Sequence, residues 1–294
     1  MDPAAHIGAV HLTISNLDRS VTFYESRLGF AVHRREDRRA YLGAGGPDLL
    51  VLSESATARR VHGTTGLYHF AILVPSRADL GRALRRLVDT RTVLQGASDH
   101  GVSEALYLAD PDGNGIEIYR DRPREQWPFV GLPAGASAKA GSALRMGADP
   151  LDLDGILAEP DGTTPTGLAP LTVIGHVHLH VSHLEAAERF YVGVLGFDLM
   201  QRYGPSALFV SAGGFHHHIG LNTWAGVGAP PPPAGAIGLE FFVVELPDAA
   251  ALDDTAARLD AAGVPSERDD RTLRAHDPSG NVVKFCTPGS RLLS

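Results

Sequence analysis

Short runs of alternating apolar and polar residues dominate the chain, and each run reads as a strand that buries one face. In Val10-His11-Leu12-Thr13-Ile14, the residues Val10, Leu12 and Ile14 share the apolar face and His11 points to the other. Tyr68-His69-Phe70-Ala71-Ile72-Leu73-Val74 follows the same parity, with Phe70, Ile72 and Val74 directed at a helix and His69 away from it. In Gly115-Ile116-Glu117-Ile118-Tyr119, two isoleucines flank a carboxylate that again falls opposite the apolar layer. Helical periodicity appears over 78–88 and 249–262, each following a strand-like run, 67–74 and 237–245. Both helices lead to further strands interrupted by a turn of one composition, Asp110-Pro111-Asp112-Gly113-Asn114 and Asp277-Pro278-Ser279-Gly280-Asn281.

These runs repeat. Ile7-Gly8-Ala9-Val10-His11-Leu12-Thr13-Ile14-Ser15 returns as Ile174-Gly175-His176-Val177-His178-Leu179-His180-Val181-Ser182. Phe23-Tyr24 through Leu28-Gly29-Phe30 returns as Phe190-Tyr191 through Leu195-Gly196-Phe197, with glycine placed to end the helix. The repeating unit is therefore βαβββ, used four times: modules 6–56 and 66–121 in a first domain (6–121), modules 172–225 and 235–289 in a second (172–289). Between them, 122–171 is rich in Gly, Ala, Pro and acidic residues and reads as a linker, with a short helix predicted within 149–159 where acidic residues favour its start. The proline run 230–233 predicts a stiff surface loop between the last two modules.

Composition narrows the function. The length of 294 residues suits two domains, and 44% hydrophobic content is enough for ordinary cores. A formal charge of −8 gives no basic footprint for nucleic acid. Apolar runs are broken by charge, Pro or Gly within about ten residues, too short for a membrane span. The start of the chain has neither a basic segment nor an apolar signal core, and Cys286 is the one cysteine, so a reducing cytoplasm is expected. Exposed strand edges leave a homo-oligomer open.

His11, His69 and Glu117 occupy matching strand positions on the face opposite the apolar layer. Two neutral imidazoles and one carboxylate, with coordination positions left over, suit a non-haem Fe(II) that binds substrate and oxygen together; Mn(II) prefers similar ligands. In the second domain the equivalent places carry His178, Glu240 and Lys284, and a charged lysine is no ordinary ligand. His178, His218 and Glu240 would form a rearranged second site, although loss of metal binding in that domain is the favoured reading.

Duplicated βαβββ modules carrying a metal on their strands resemble the vicinal oxygen chelate superfamily, over nearly the whole chain outside the linker. The resemblance implies an α+β fold of two tandem domains, each of two modules forming a cupped sheet. A sharper pattern runs from His100 through Leu106-Tyr107 and Asp110-Pro111-Asp112-Gly113 to Glu117, and it resembles the signature of type I extradiol ring-cleavage dioxygenases. Ser98 departs from the residue types usual two places before the histidine. The complete triad is also N-terminal here, whereas familiar two-domain members keep their metal in the C-terminal domain.

What the resemblance implies is cleavage of catechol or a substituted catechol by O2, giving a 2-hydroxymuconate-semialdehyde-type product. His100 would be the acid/base and Tyr107 would hydrogen-bond a substrate oxygen. Strand parity agrees for the tyrosine, because Leu106 and Leu108 take the apolar face. His62 is a further pocket candidate by proximity alone. A glyoxalase I-type isomerase is the first alternative, disfavoured because Asp48-Leu49-Leu50-Val51-Leu52 offers no fourth ligand at the expected position. A non-catalytic small-molecule-binding resistance protein is the second, and it would need no triad.

Overall fold

The structure, a computed structural model, describes residues 1–130, 144–160 and 167–290. Its strands form two eight-stranded sheets. The first module comprises β1 (His6–Ile14), α1 (Leu17–Phe23), β2 (Ala31–Glu36), β3 (Arg39–Gly43) and β4 (Asp48–Glu54). Asn16 starts α1 by accepting the Arg19 N–H at 2.9 Å. The helix runs on as a wide π turn over Tyr24–Leu28 and stops at Gly29, whose φ of +84° only glycine adopts without strain. The second module comprises β5 (Gly66–Leu73), α2 (Arg77–Asp89), β6 (Gly96–Asp99), β7 (Ser103–Ala109) and β8 (Gly115–Asp121). Ser76 caps α2 through the Asp79 N–H, and Leu80, Leu84 and Leu87 form its buried stripe. The outer strands β5 and β8 pair in parallel, as a helical crossover allows, while β6, β7 and β8 form an antiparallel meander.

The stretch expected as a linker packs on that second module over its described part. Asp149 bridges to Asp99, and α3 (Leu153–Leu157) lies against α2 with Ile156 fully buried. The Asp152 side chain caps α3 at the Gly155 N–H, as its acidic start predicted. Arg77 ties this segment down through Asp152 at 3.1 Å and Glu159 at 2.8 Å, while its Nε reaches the buried Glu104. Residues 131–143 and 161–166 of the expected linker lie outside the described residues.

The third module comprises β9 (Val173–His180), α4 (Leu184–Glu188), β10 (Asp198–Tyr203), β11 (Ala207–Ser211) and β12 (Ile219–Asn222), with β9 and β12 parallel. The fourth comprises β13 (Gly238–Glu245), α5 (Ala249–Ala261), β14 (Ser266–Arg268), β15 (Thr272–His276) and β16 (Val282–Cys286), with β13 and β16 parallel. The 230–233 prolines are exposed, as a surface loop requires. One pairing differs from simple tandem order. β1 lies antiparallel to β13, with Val10 opposite Phe242 and His11 opposite Phe241, so the first strand of the chain belongs beside the fourth module.

The repeated Asp-Pro-x-Gly-Asn turns are tied to the repeated helix tyrosines. Asp110 accepts the N–H groups of Asp112 and Asn114 at 2.9 and 2.8 Å, the Asn114 amide at 2.8 Å and the Tyr24 hydroxyl at 2.9 Å. Asp277 repeats this with Ser279, Asn281 and Tyr191. Each aspartate is buried, and burial raises its carboxyl above the ordinary range while these donors pull it down.

Candidate metal centre

Strand parity delivers His69 and Glu117 to one face of the second module. The bulky Phe70 and Ile72 of β5, and Ile116 and Ile118 of β8, take the opposite, apolar face. The parallel register sets His69 beside Gly115 and Ala71 beside Glu117, so the two functional side chains converge from adjacent strands. His69 Nε2 lies 3.1 Å from Glu117 Oε2, and both side chains are buried. A carboxylate excluded from water beside an imidazole is a costly arrangement unless a cation shares it.

Tyr107 stands directly opposite Glu117 across β7 and β8, and its ring lies 5.6 Å from that of His69. Its hydroxyl is 2.6 Å from His100 Nε2. Thus His100, at the end of β6, and Tyr107, on β7, reach the same face as the two ligand candidates. His62 is exposed.

His69 and Glu117 are two buried donors of the kind an open divalent metal centre takes. His11, expected from the sequence as the third ligand, sits on β1 against β13 and stacks on Phe241 with ring centroids 3.9 Å apart. Lys284, which takes the repeat position of Glu117, holds its ammonium 3.8 Å from the centroid of the same Phe241 ring. A histidine, a phenyl ring and a cation thus fill the place where the fourth module would have offered ligands.

On β9, His176 takes the repeat position of Ala9 and His178 that of His11; two apart, they share a face. His176 has the His217 ring at 4.1 Å and the His216 ring at 6.3 Å. His178 makes edge contacts with Tyr68 at 5.1 Å and Phe209 at 5.6 Å, and lies 5.2 Å from Trp224. His218 Nδ1 accepts the Ala212 N–H at 3.2 Å and lies 3.0 Å from Ser211 Oγ. Burial, helped by neighbouring histidines, pushes its pKa down to about 3. Glu240 is half-buried on β13. Among the described residues, His178, His218 and Glu240 do not come together as a ligand group.

Fold and donor set together define the class. The chain belongs to the Glyoxalase/Bleomycin resistance protein/Dioxygenase superfamily, whose family model matches residues 5–118 and 173–285. It is 47% identical over 285 residues to the Catechol-2,3-dioxygenase of Bacillus subtilis (strain 168), a match covering 95% of this chain and 96% of that protein. Solved structures share the fold at low identity. A protein from Bacillus subtilis subsp. subtilis str. 168 aligns with TM-score 0.64 at 15% identity, covering 97% of this chain and 86% of that one. Glyoxalase I from Zea mays aligns with TM-score 0.57 at 15% identity, covering 97% and 92%.

Proposed function

We infer that this protein is an extradiol ring-cleavage dioxygenase acting on catechol or a substituted catechol with O2, and giving a 2-hydroxymuconate-semialdehyde-type product. The observation that carries the reading is the buried His69 and Glu117 pair with Tyr107 on the neighbouring strand and His100, just after β6, bonded to it. The relative at 47% identity supports it by name. His69 and Glu117 would hold the metal, with His11 as the third ligand that the strand pattern offers; Fe(II) suits the chemistry and Mn(II) is the alternative. Such an ion supplies a path for electrons from the bound diol to oxygen.

The chain's own residues account for the proton traffic. A catechol must lose protons to chelate through its oxygens, and the ring-opened product must regain them. Tyr107, whose hydroxyl meets His100 Nε2 at 2.6 Å, hydrogen-bonds the substrate oxygen, and His100 accepts and returns the proton. Tyr119 and Ala105 pack with Tyr107 and hold the strand face that carries it.

The limits 6–121 and 172–289 serve as the two domains, supported by the matched segments. Among the described residues no helix is long and apolar enough to cross a membrane. With one buried cysteine, Cys286, the chain fits a reducing cytoplasm.

Oxygen uptake with catechol tests this reading, using protein purified without air and reconstituted with Fe(II), beside a His69→Ala variant. A yellow ring-opened product formed with stoichiometric oxygen, and lost in the variant, is expected. A loaded metal centre with no oxygen use overturns the assignment, and turnover of a glutathione hemithioacetal would establish the isomerase instead.

A further inference from the structure

His100 is held from two sides. Nε2 meets the Tyr107 hydroxyl at 2.6 Å, and Nδ1 meets the backbone carbonyl of Gly147 at 2.6 Å. A carbonyl only accepts, so Nδ1 carries a proton whenever this bond is made. In the neutral ring Nε2 is then left as the acceptor, and the hydroxyl of Tyr107 is the donor that faces it. We propose that the segment around Gly147 is a positioning element that fixes His100 as the Nδ1–H tautomer, so that every proton His100 gains or gives passes through Nε2 and Tyr107.

The segment is built to hold that carbonyl. The Gly147 N–H donates to the His100 carbonyl at 3.2 Å, closing a second bond between the same two residues. Asp149 and Asp99 exchange both backbone bonds at 2.9 Å, two residues along on one side and one on the other. The Asp99 side chain accepts the Gly101 N–H at 2.9 Å and is clasped by Arg122, which also reaches the buried Glu104. Gly101 has φ of +75°, and a Cβ there would meet Pro128 Cγ at 2.9 Å, so the chain after His100 lies against Pro128, whose carbonyl accepts the Arg145 N–H at 2.9 Å. A linker serving only to join domains needs none of these contacts. The consequence for turnover rests on the dioxygenase reading, whereas the tautomer does not.

The balance is simple. When Tyr107 takes a proton from a substrate hydroxyl, its own O–H breaks and a new N–H forms at Nε2, giving an imidazolium with no change in electron count. With the other tautomer, Nε2 would already carry hydrogen and could not accept.

Nitrogen NMR of the metal-free protein labelled at histidine tests this directly, with His100→Gln identifying the His100 signals. The expected result is one histidine with a protonated Nδ1 and an unprotonated Nε2 near neutral pH. Asp149→Pro removes one N–H that ties the segment to Asp99 and is expected to give mixed tautomers. In the Fe(II)-loaded protein the same variant is expected to lower kcat about tenfold, with KM little changed. A His100 protonated at Nε2 alone in the wild-type protein overturns the proposal, as does an unaltered tautomer in a folded Asp149→Pro variant. Should that variant fail to fold, Arg122→Met, which removes the guanidinium clasping the Asp99 side chain, takes its place under the same two outcomes. Absence of oxygen uptake in a protein with the expected tautomer would instead count against the dioxygenase reading.

Discussion

The Tyr107 hydroxyl and His100 Nε2 stand 2.6 Å apart, and Tyr107 sits on β7 directly across from Glu117 of β8. The tyrosine of the proposed acid/base pair and a metal-ligand candidate are thereby fixed on neighbouring strands, where a pleated sheet is stiffer than any loop. Replacing Tyr107 by Phe removes the hydroxyl and leaves the ring that packs with Ala71 and Ala105. Expected is a fall in kcat of about 10²-fold with metal content unchanged, read by oxygen uptake alongside metal analysis.

Donor identity gives the next test. His69→Ala and Glu117→Ala are expected to weaken divalent-metal binding by at least about tenfold, each removing one of the buried donors that converge from β5 and β8, and His11→Ala, the third proposed ligand, is expected to do the same. His62→Ala, at an exposed residue, is expected to leave metal binding unchanged. Titration calorimetry with Mn(II) on the metal-stripped proteins separates these outcomes without any turnover.

Tyr24→Phe removes the hydroxyl that donates to the buried Asp110. The expected loss is about 1–3 kcal/mol of unfolding free energy, measured by urea titration. Its pH dependence has a definite sign. Burial raises the folded pKa of Asp110 above its ordinary value of 3.8. Stability from this group is therefore complete below that value and is lost as pH rises through the folded one. Losing a donor to the carboxylate raises the folded value further, so the gap between wild type and variant should widen from pH 4 to pH 7.

Cys286 supplies a chemical probe of packing. Burial, with a smaller push from Glu245, raises its thiol to about 12, so at pH 8 roughly one molecule in 10⁴ is thiolate. Ellman's reagent is expected to leave the folded protein unmodified for hours and to label one thiol per chain in guanidinium. Rapid labelling of the native protein would contradict the burial of β16.

Much of the molecule was legible beforehand because its signals are local. The βαβββ repeat, the glycine that ends the first helix at Gly29 and the Asp-Pro-x-Gly-Asn turns each depend on residues a few places apart, and all stand where the pattern put them. The service performed by the repeated tyrosines was not legible. Tyr24 and Tyr191 meet Asp110 and Asp277, each 86 positions further along, only once the chain has folded back.

The sequence by itself determined which side chains leave the apolar layer, since strand parity is a property of neighbouring residues. It therefore put His11, His69 and Glu117 opposite the apolar layer with equal force. Tertiary structure decided what each of them meets. Parallel pairing of β5 with β8 set His69 beside Glu117, and pairing of β1 with β13 set His11 on Phe241. It also brought Gly147, in a stretch with linker composition, onto His100. Partner choice between strands is settled by long-range packing and register, which no local alternation of residues encodes.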